Sequence, residues 1–189
     1  MAHHPEADRE LIVRAQRGDL AAYGELVRRH QRDARRTAAA IGGVDLADDC
    51  AQEAFVRAHR ALPGFQPDAP FRPWLLTIVV NVTRNHQRAA HRWPRGAVRS
   101  FEDRSHGPDR VTRAAEDDVL AADRAVRLRG ALASLPIRQR EVVTCRYLLD
   151  LTEHETAQVL GIPPGTVKSR LSRALDRLQA QLREEALDG

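Results

Sequence analysis

The chain is poor in lysine, aromatics and sulfur, and each shortage excludes something. Lys168 is the one lysine among 30 basic residues, so the positive charge is carried by arginine. Aromatic residues make up 4% of the chain against 30% charged residues, a balance that argues against a β-sandwich and for helices. The two cysteines, Cys50 and Cys145, are far apart and fall in different halves, which excludes a disulfide scaffold. They read as buried free thiols in a reducing cytoplasm. No run of 18 apolar residues is present, so no membrane span is expected. The opening MAHHPEADRE lacks the apolar core of a secretory signal. There is no glycine-rich phosphate loop, no paired-Cys or His-x-x-x-His metal spacing and no Ser/His/Asp pattern with context. No catalytic residue, metal site or cofactor is assigned on this basis.

What remains is helical periodicity with a modest net charge of +4. Leu11, Ile12 and Ala15 form one stripe, and Gly18-Asp19 breaks the chain, with Asp19 a good N-cap for a helix ending at Gly42-Gly43. A third helix is expected from about Leu46 to Leu62, with Ala51, Phe55, Ala58 and Leu62 facing a core. Pro63 to Pro70 is a loop by composition, and a fourth helix follows from Phe71 to Arg92. From Pro94 to Asp118 periodicity is lost, and five arginines stand against six acidic residues. Helical patterning resumes at Val119, with Leu120, Val126 and Leu128, and later with Val142, Val143, Tyr147 and Leu148. The expected organisation is all-α: an N-terminal helical bundle over 1–93, a flexible linker over 94–118, and a C-terminal helix-turn-helix module over 119–189.

The sharpest local signal lies between Leu151 and Gln179. Thr152 followed three residues on by Glu155 makes a capping box. Gly161 permits the positive φ of a tight turn, and Pro163-Pro164 stops one short helix and starts the next. In that second helix Val167, Leu171, Ala174, Leu178 and Leu182 share one face, while Lys168, Ser169, Ser172, Arg173 and Asp176 fall on the other. Recognition helices present such an N-terminal polar half to base edges in the major groove. Thr166 and the first amides suit a phosphate. This pattern alone leaves open a repressor, a response-regulator output domain and a sigma factor.

The run LPIRQREVVTCRYLLDLTEHETAQVLGIPPGTVKSRLSRALDRL resembles region four of extracytoplasmic-function (ECF) sigma factors of bacterial RNA polymerase. RAQRGDLAAYGELVRRH, DDCAQEAFVRAHRALPGF and FRPWLLTIVVNVTRNHQR resemble region two of the same family. The resemblance implies a promoter-specificity subunit rather than an enzyme. It implies core RNA polymerase as a partner, through the clamp helices of the largest subunit and the flap of the second-largest, together with promoter DNA and an anti-sigma factor. Carried onto this chain, Asp49, Gln52 and Glu53 would meet the clamp, and their i, i+3, i+4 spacing puts them on one helix face. Phe65 and Asp68 in the loop, with Phe71, Asn81, Arg84 and Asn85 on the next helix, would meet the minus-ten element. Thr166, Lys168, Ser169, Arg170, Ser172 and Arg173 would meet the minus-thirty-five element. Thr77 to Val82 lacks the strand-separating aromatics of primary sigma factors, which implies weaker melting and a stricter demand on promoter sequence. The main alternative is an autonomous helix-turn-helix regulator, which would bind duplex tightly without polymerase.

Overall fold

The computed structural model describes residues 5–92 and 130–187, and all regular structure among them is helical. The linker 94–118 and the apolar positions Leu120, Val126 and Leu128 lie outside the described residues. The N-terminal module contains α1 (Pro5–Gln16), α2 (Leu20–Gly42), α3 (Ala47–Ala61) and α4 (Phe71–Arg92). The C-terminal module contains α5 (Ile137–Val143), which runs into a π-helical turn (Thr144–Leu148), then α6 (Glu153–Leu160) and α7 (Pro164–Leu187). Residues 130–134 are also helical.

Local signals fix the ends of these helices. Asp19 caps α2, its side chain accepting from the Ala22 amide at 3.0 Å. Gly43, at φ +100°, ends the same helix where a side chain would be strained. Alanines at 34 and 38 of α2 and at 54 and 58 of α3 are fully buried and let helices approach closely, while Leu26, Leu75 and Val79 fill the remaining core. Truncating one such leucine costs about 2–5 kcal/mol. The first helix is clasped to α2 by polar groups: His30 Nε2 lies 2.8 Å from Asp8 Oδ2, and Arg29 donates to the same carboxylate. Tyr23 donates its hydroxyl to the Phe55 carbonyl, and burial pushes that phenol up to about 12.

The C-terminal module departs from the sequence expectation in two places. The helix expected through Val142, Val143, Tyr147 and Leu148 gives way to the π turn, and Tyr147 is 60% exposed. The π turn inserts an extra residue and rotates it off the apolar face. The turn closes with the Leu149 amide on the Thr144 carbonyl, five residues back. The helix after Gly161 is not short: it spans 24 residues, because Leu171, Ala174 and Leu178 keep the apolar period and no breaker follows Gly165. Cys50 and Cys145 are both buried and free, as expected.

The two modules are packed on one another rather than merely tethered. Ile41, Leu76 and Val80 of the bundle share one apolar cluster with Val142, Cys145, Leu149 and other residues of the C-terminal module. Three polar contacts cross the same face. Arg84 pairs with Glu141, Arg72 Nη2 donates to the Leu149 carbonyl at 2.8 Å, and Arg140 Nη1 donates to the Ile41 carbonyl at 3.0 Å.

Candidate nucleic-acid interface

The recognition helix is set by backbone chemistry on both sides of its turn. Thr152 accepts from the Glu155 amide while the Glu155 carboxylate accepts from the Thr152 amide at 2.7 Å, completing the capping box that opens α6. That amide bond holds the Glu155 carboxyl below its ordinary range against the opposing effect of burial. Gly161 turns the chain at φ +65°, and Pro163 offers its carbonyl to the amides of Thr166 and Val167. Val167 and Ala174, at 1% and 0% exposure, anchor the inner face of α7.

The outer face of α7 stands in solvent. Lys168, Ser169, Ser172 and Arg173 are exposed, and Thr166 and Arg170 are half-buried at its edge. Arg173 donates to the Ser169 carbonyl one turn back, and Ser169 donates to Thr166. Lys168 stands 3.8 Å from Glu153, an exposed pair of little energetic consequence. The surface runs about two turns along the helix, hydroxylic and basic, with donors of the kind that suit base edges and phosphates.

The six expected minus-ten residues do not form one surface. Asn81 and Asn85 are exposed on α4, one turn apart. Asp68 is exposed in the loop, where it is held by Arg9 at 2.5 Å. Phe65 and Phe71 are buried, at 8% and 3% exposure, with their rings turned into the protein. Their rings stack with Trp74, Phe65 at 4.5 Å and Phe71 at 5.4 Å between centroids, so the aromatic area is spent on the bundle core. Gln16 pins the loop from below by donating to the carbonyls of Leu62 and Phe65. Beside the loop lies an open cavity of about 410 Å³, lined by Arg9, Asp68, Pro70 and Arg72 of the bundle and by Glu155 of α6.

Arg84 is engaged. Its Nε and Nη2 donate to the two carboxylate oxygens of Glu141 at 2.6 and 2.7 Å, and this pairing raises the guanidinium pKa further. The Glu141 side chain is 2% exposed. Sequence reasoning missed this partner, which lies 57 residues away and carries no local mark.

The three residues assigned to the clamp share a face of α3. Asp49 and Gln52 are exposed, and Ala51 and Phe55 lie buried behind them. Glu53 is held by His86 of α4 at 2.6 Å and by Arg57 at 2.5 Å. The His86 contact, and then that of Arg57, keeps the Glu53 carboxyl below its ordinary range. Val56, half exposed, completes the i, i+3, i+4, i+7 stripe.

Comparison with known proteins agrees with both halves of this geometry. A family model described as Sigma-70 region 2 matches residues 26–93, and one described as Sigma-70, region 4 matches residues 125–178. The chain is 33% identical to the ECF RNA polymerase sigma factor SigC of Mycobacterium tuberculosis, over 100% of this chain and 98% of that protein. It is 31% identical to the ECF RNA polymerase sigma-E factor of Escherichia coli, over 90% of this chain and 92% of that one. Among solved structures, CnrH in complex with the cytosolic domain of CnrY superposes with a TM-score of 0.70 at 30% identity, covering 94% of this chain and 98% of that chain. The chain belongs to the ECF subfamily of bacterial RNA polymerase sigma factors, and it is a promoter-recognising subunit of transcription initiation.

Proposed function

We propose that the outer face of α7 reads the minus-thirty-five element through Lys168, Ser169, Ser172 and Arg173, with Thr166 and Arg170 on flanking phosphates. The observation that carries this is the division of α7 itself: Val167 and Ala174 are sealed into the core while the polar residues between and beyond them stand in solvent. Asn81, Asn85 and Asp68 contact the exposed bases of the minus-ten element, and Arg84 contacts the strand backbone. Phe65 and Phe71 act one step back, holding the loop and the start of α4 in place. Asp49, Gln52 and Glu53 meet the basic clamp surface of core polymerase, with His86 and Arg57 fixing Glu53, and the C-terminal module meets the flap.

In this reading the chain performs no chemistry of its own; polymerase does. The working compartment is the cytoplasm, where polymerase and promoter DNA are found. Among the described residues no helix is long and apolar enough to cross a membrane. The functional units are 1–93 and 119–189, with 94–118 connecting them. An anti-sigma factor restrains the chain, a reading supported by the family resemblance and by the similar CnrH having been solved with a second protein bound.

Run-off transcription from a genomic promoter library, with core polymerase and with or without this protein, tests the proposal. Start sites that depend on the protein, together with weak duplex binding by the protein alone, are expected. Tight, specific duplex binding without polymerase would overturn it in favour of an autonomous regulator.

A further inference from the structure

The bundle face that carries Arg84 is the face the C-terminal module covers. Leu76 and Val80, two turns and one turn before Arg84, are fully buried against that module. Arg72, one turn earlier still, is divided between Asp33 of its own module, at 2.6 Å, and the Leu149 carbonyl of the other. Glu155 of α6 reaches the cavity beside the loop. The C-terminal module therefore lies along the side of α4 that carries Arg84 and leaves Asn81 and Asn85 exposed.

Glu141 is an unusual residue for such a contact. A carboxylate at 2% exposure carries a desolvation cost that an apolar side chain of similar size would avoid. Its two oxygens meet the fork of Arg84 side by side, the arrangement by which a guanidinium also takes a phosphate. If Arg84 turned to another anion while the modules stayed closed, Glu141 would be left buried and unpaired, which is strongly unfavourable. Closure and engagement of Arg84 by DNA therefore exclude each other.

We propose that Glu141 is an internal stand-in for a DNA phosphate, through which the C-terminal module competes with the non-template strand for Arg84. The inference rests on the assignment of Arg84 to that strand. In the isolated chain Arg84 is held by Glu141 while Asn81, Asn85 and Asp68 stand exposed; when DNA takes Arg84, the interface opens and returns Glu141 to water. By linkage, anything that opens the interface strengthens single-strand binding, and single-strand binding opens the interface by the same factor.

Cys145 reports the opening. It is fully buried in the cluster between the modules, whereas Cys50 is fully buried within the bundle alone and reports global unfolding. The full-length chain is treated with N-ethylmaleimide at low salt, with and without a fluorescein-labelled, mixed-sequence single-stranded oligonucleotide. Labelling at each cysteine is read by peptide mass spectrometry. In the unaltered protein, saturating oligonucleotide is expected to speed modification of Cys145 about fivefold or more while Cys50 stays unchanged. Glu141→Gln, which keeps the shape and removes the charge, is expected to speed Cys145 without DNA and to tighten oligonucleotide binding by about tenfold. In an Arg84→Ala background that gain should disappear. If Arg84→Ala weakens binding but Glu141→Gln leaves affinity and Cys145 unchanged, the competition is wrong and the strand assignment stands. If Arg84→Ala leaves binding unchanged, the strand assignment fails and the competition falls with it. Should Glu141→Gln fail to fold, the oligonucleotide effect on Cys145 in the unaltered protein decides alone, and equal labelling with and without DNA overturns the proposal.

Discussion

On α7, Lys168, Ser169, Ser172 and Arg173 stand in solvent and bond only within their own module, whereas on α4 Arg72 and Arg84 are held by groups of the opposite module. Both helices are proposed to meet promoter DNA, yet the polar face of one stands in solvent while the arginines of the other are occupied. The difference lies in packing rather than composition. The apolar side of α7 faces its own module, which leaves its polar side free. In α4 one apolar flank, Leu75 and Val79, faces the bundle, and a second, Leu76 and Val80, faces the partner module. A helix with two apolar flanks can be buried twice, and the polar residues next to the second flank are covered with it.

The largest effect is expected from breaking that second flank. Leu76→Ala removes a fully buried side chain from the shared cluster, worth about 2–5 kcal/mol where the cavity cannot collapse. Because the loss is between modules, it should appear first as separation. In a urea titration Cys145 becomes reactive well before Cys50. Simultaneous exposure of both thiols in the variant would mean that the interface and the bundle are one cooperative unit and would end the comparison.

The open face makes a smaller and more local prediction. Arg173→Ala should cost about 1–3 kcal/mol at one base position of the minus-thirty-five element, the worth of one good side-chain contact. Transcription from promoters carrying single-base changes, with core polymerase, gives the readout: the variant should lose its preference at one position and keep the others. Uniform loss across all positions would place Arg173 on phosphate instead.

The same contrast explains what the sequence could and could not disclose. The helix-turn-helix was legible almost residue by residue, because each device in it is local. Thr152 and Glu155 are three apart, Gly161 carries its own conformational freedom, and Val167 and Ala174 share a face by period. Asp19 and Gly43 were legible for the same reason. The aromatic residues were not, since a phenylalanine in a loop suits a core and a stacking platform equally well, and only the position of Trp74 decided for the core. The π turn left no trace in the pattern, which continued as an ordinary helix through Tyr147 and Leu148. The pairing of Arg84 with Glu141 belongs to the meeting of two modules, which no periodicity within either one encodes.

A change at the foot of α6 tests whether the open face is held rigidly. Thr152→Ala removes the hydroxyl that accepts from the Glu155 amide, and such caps are worth about 1 kcal/mol. The expected result is a lower melting temperature with promoter preference unchanged, because α7 is anchored separately by Val167 and Ala174. Altered base preference would show that α6 sets the angle of the recognition helix.

The smallest effect is the pH dependence of the same cap. The Thr152 amide, aided by its hydroxyl, holds the Glu155 carboxyl below its ordinary range despite burial. A depressed folded-state pKa means that the stabilisation is complete above the unfolded value, about 4.3, and is lost as the pH falls through the folded value. Glu155→Gln keeps an oxygen acceptor for the capping box but has no proton to gain. Thermal melts followed by circular dichroism from neutral pH down to pH 3 should show the variant losing less of its melting temperature than the unaltered chain over the acid limb. The Asp8 carboxyl in the bundle is also depressed: burial pushes it up, but the contacts from His30 and Arg29 outweigh that. It supplies a shared background that Glu155→Gln leaves intact. The difference between the two curves therefore isolates the C-terminal module, and parallel curves would mean that the cap contributes nothing to its stability.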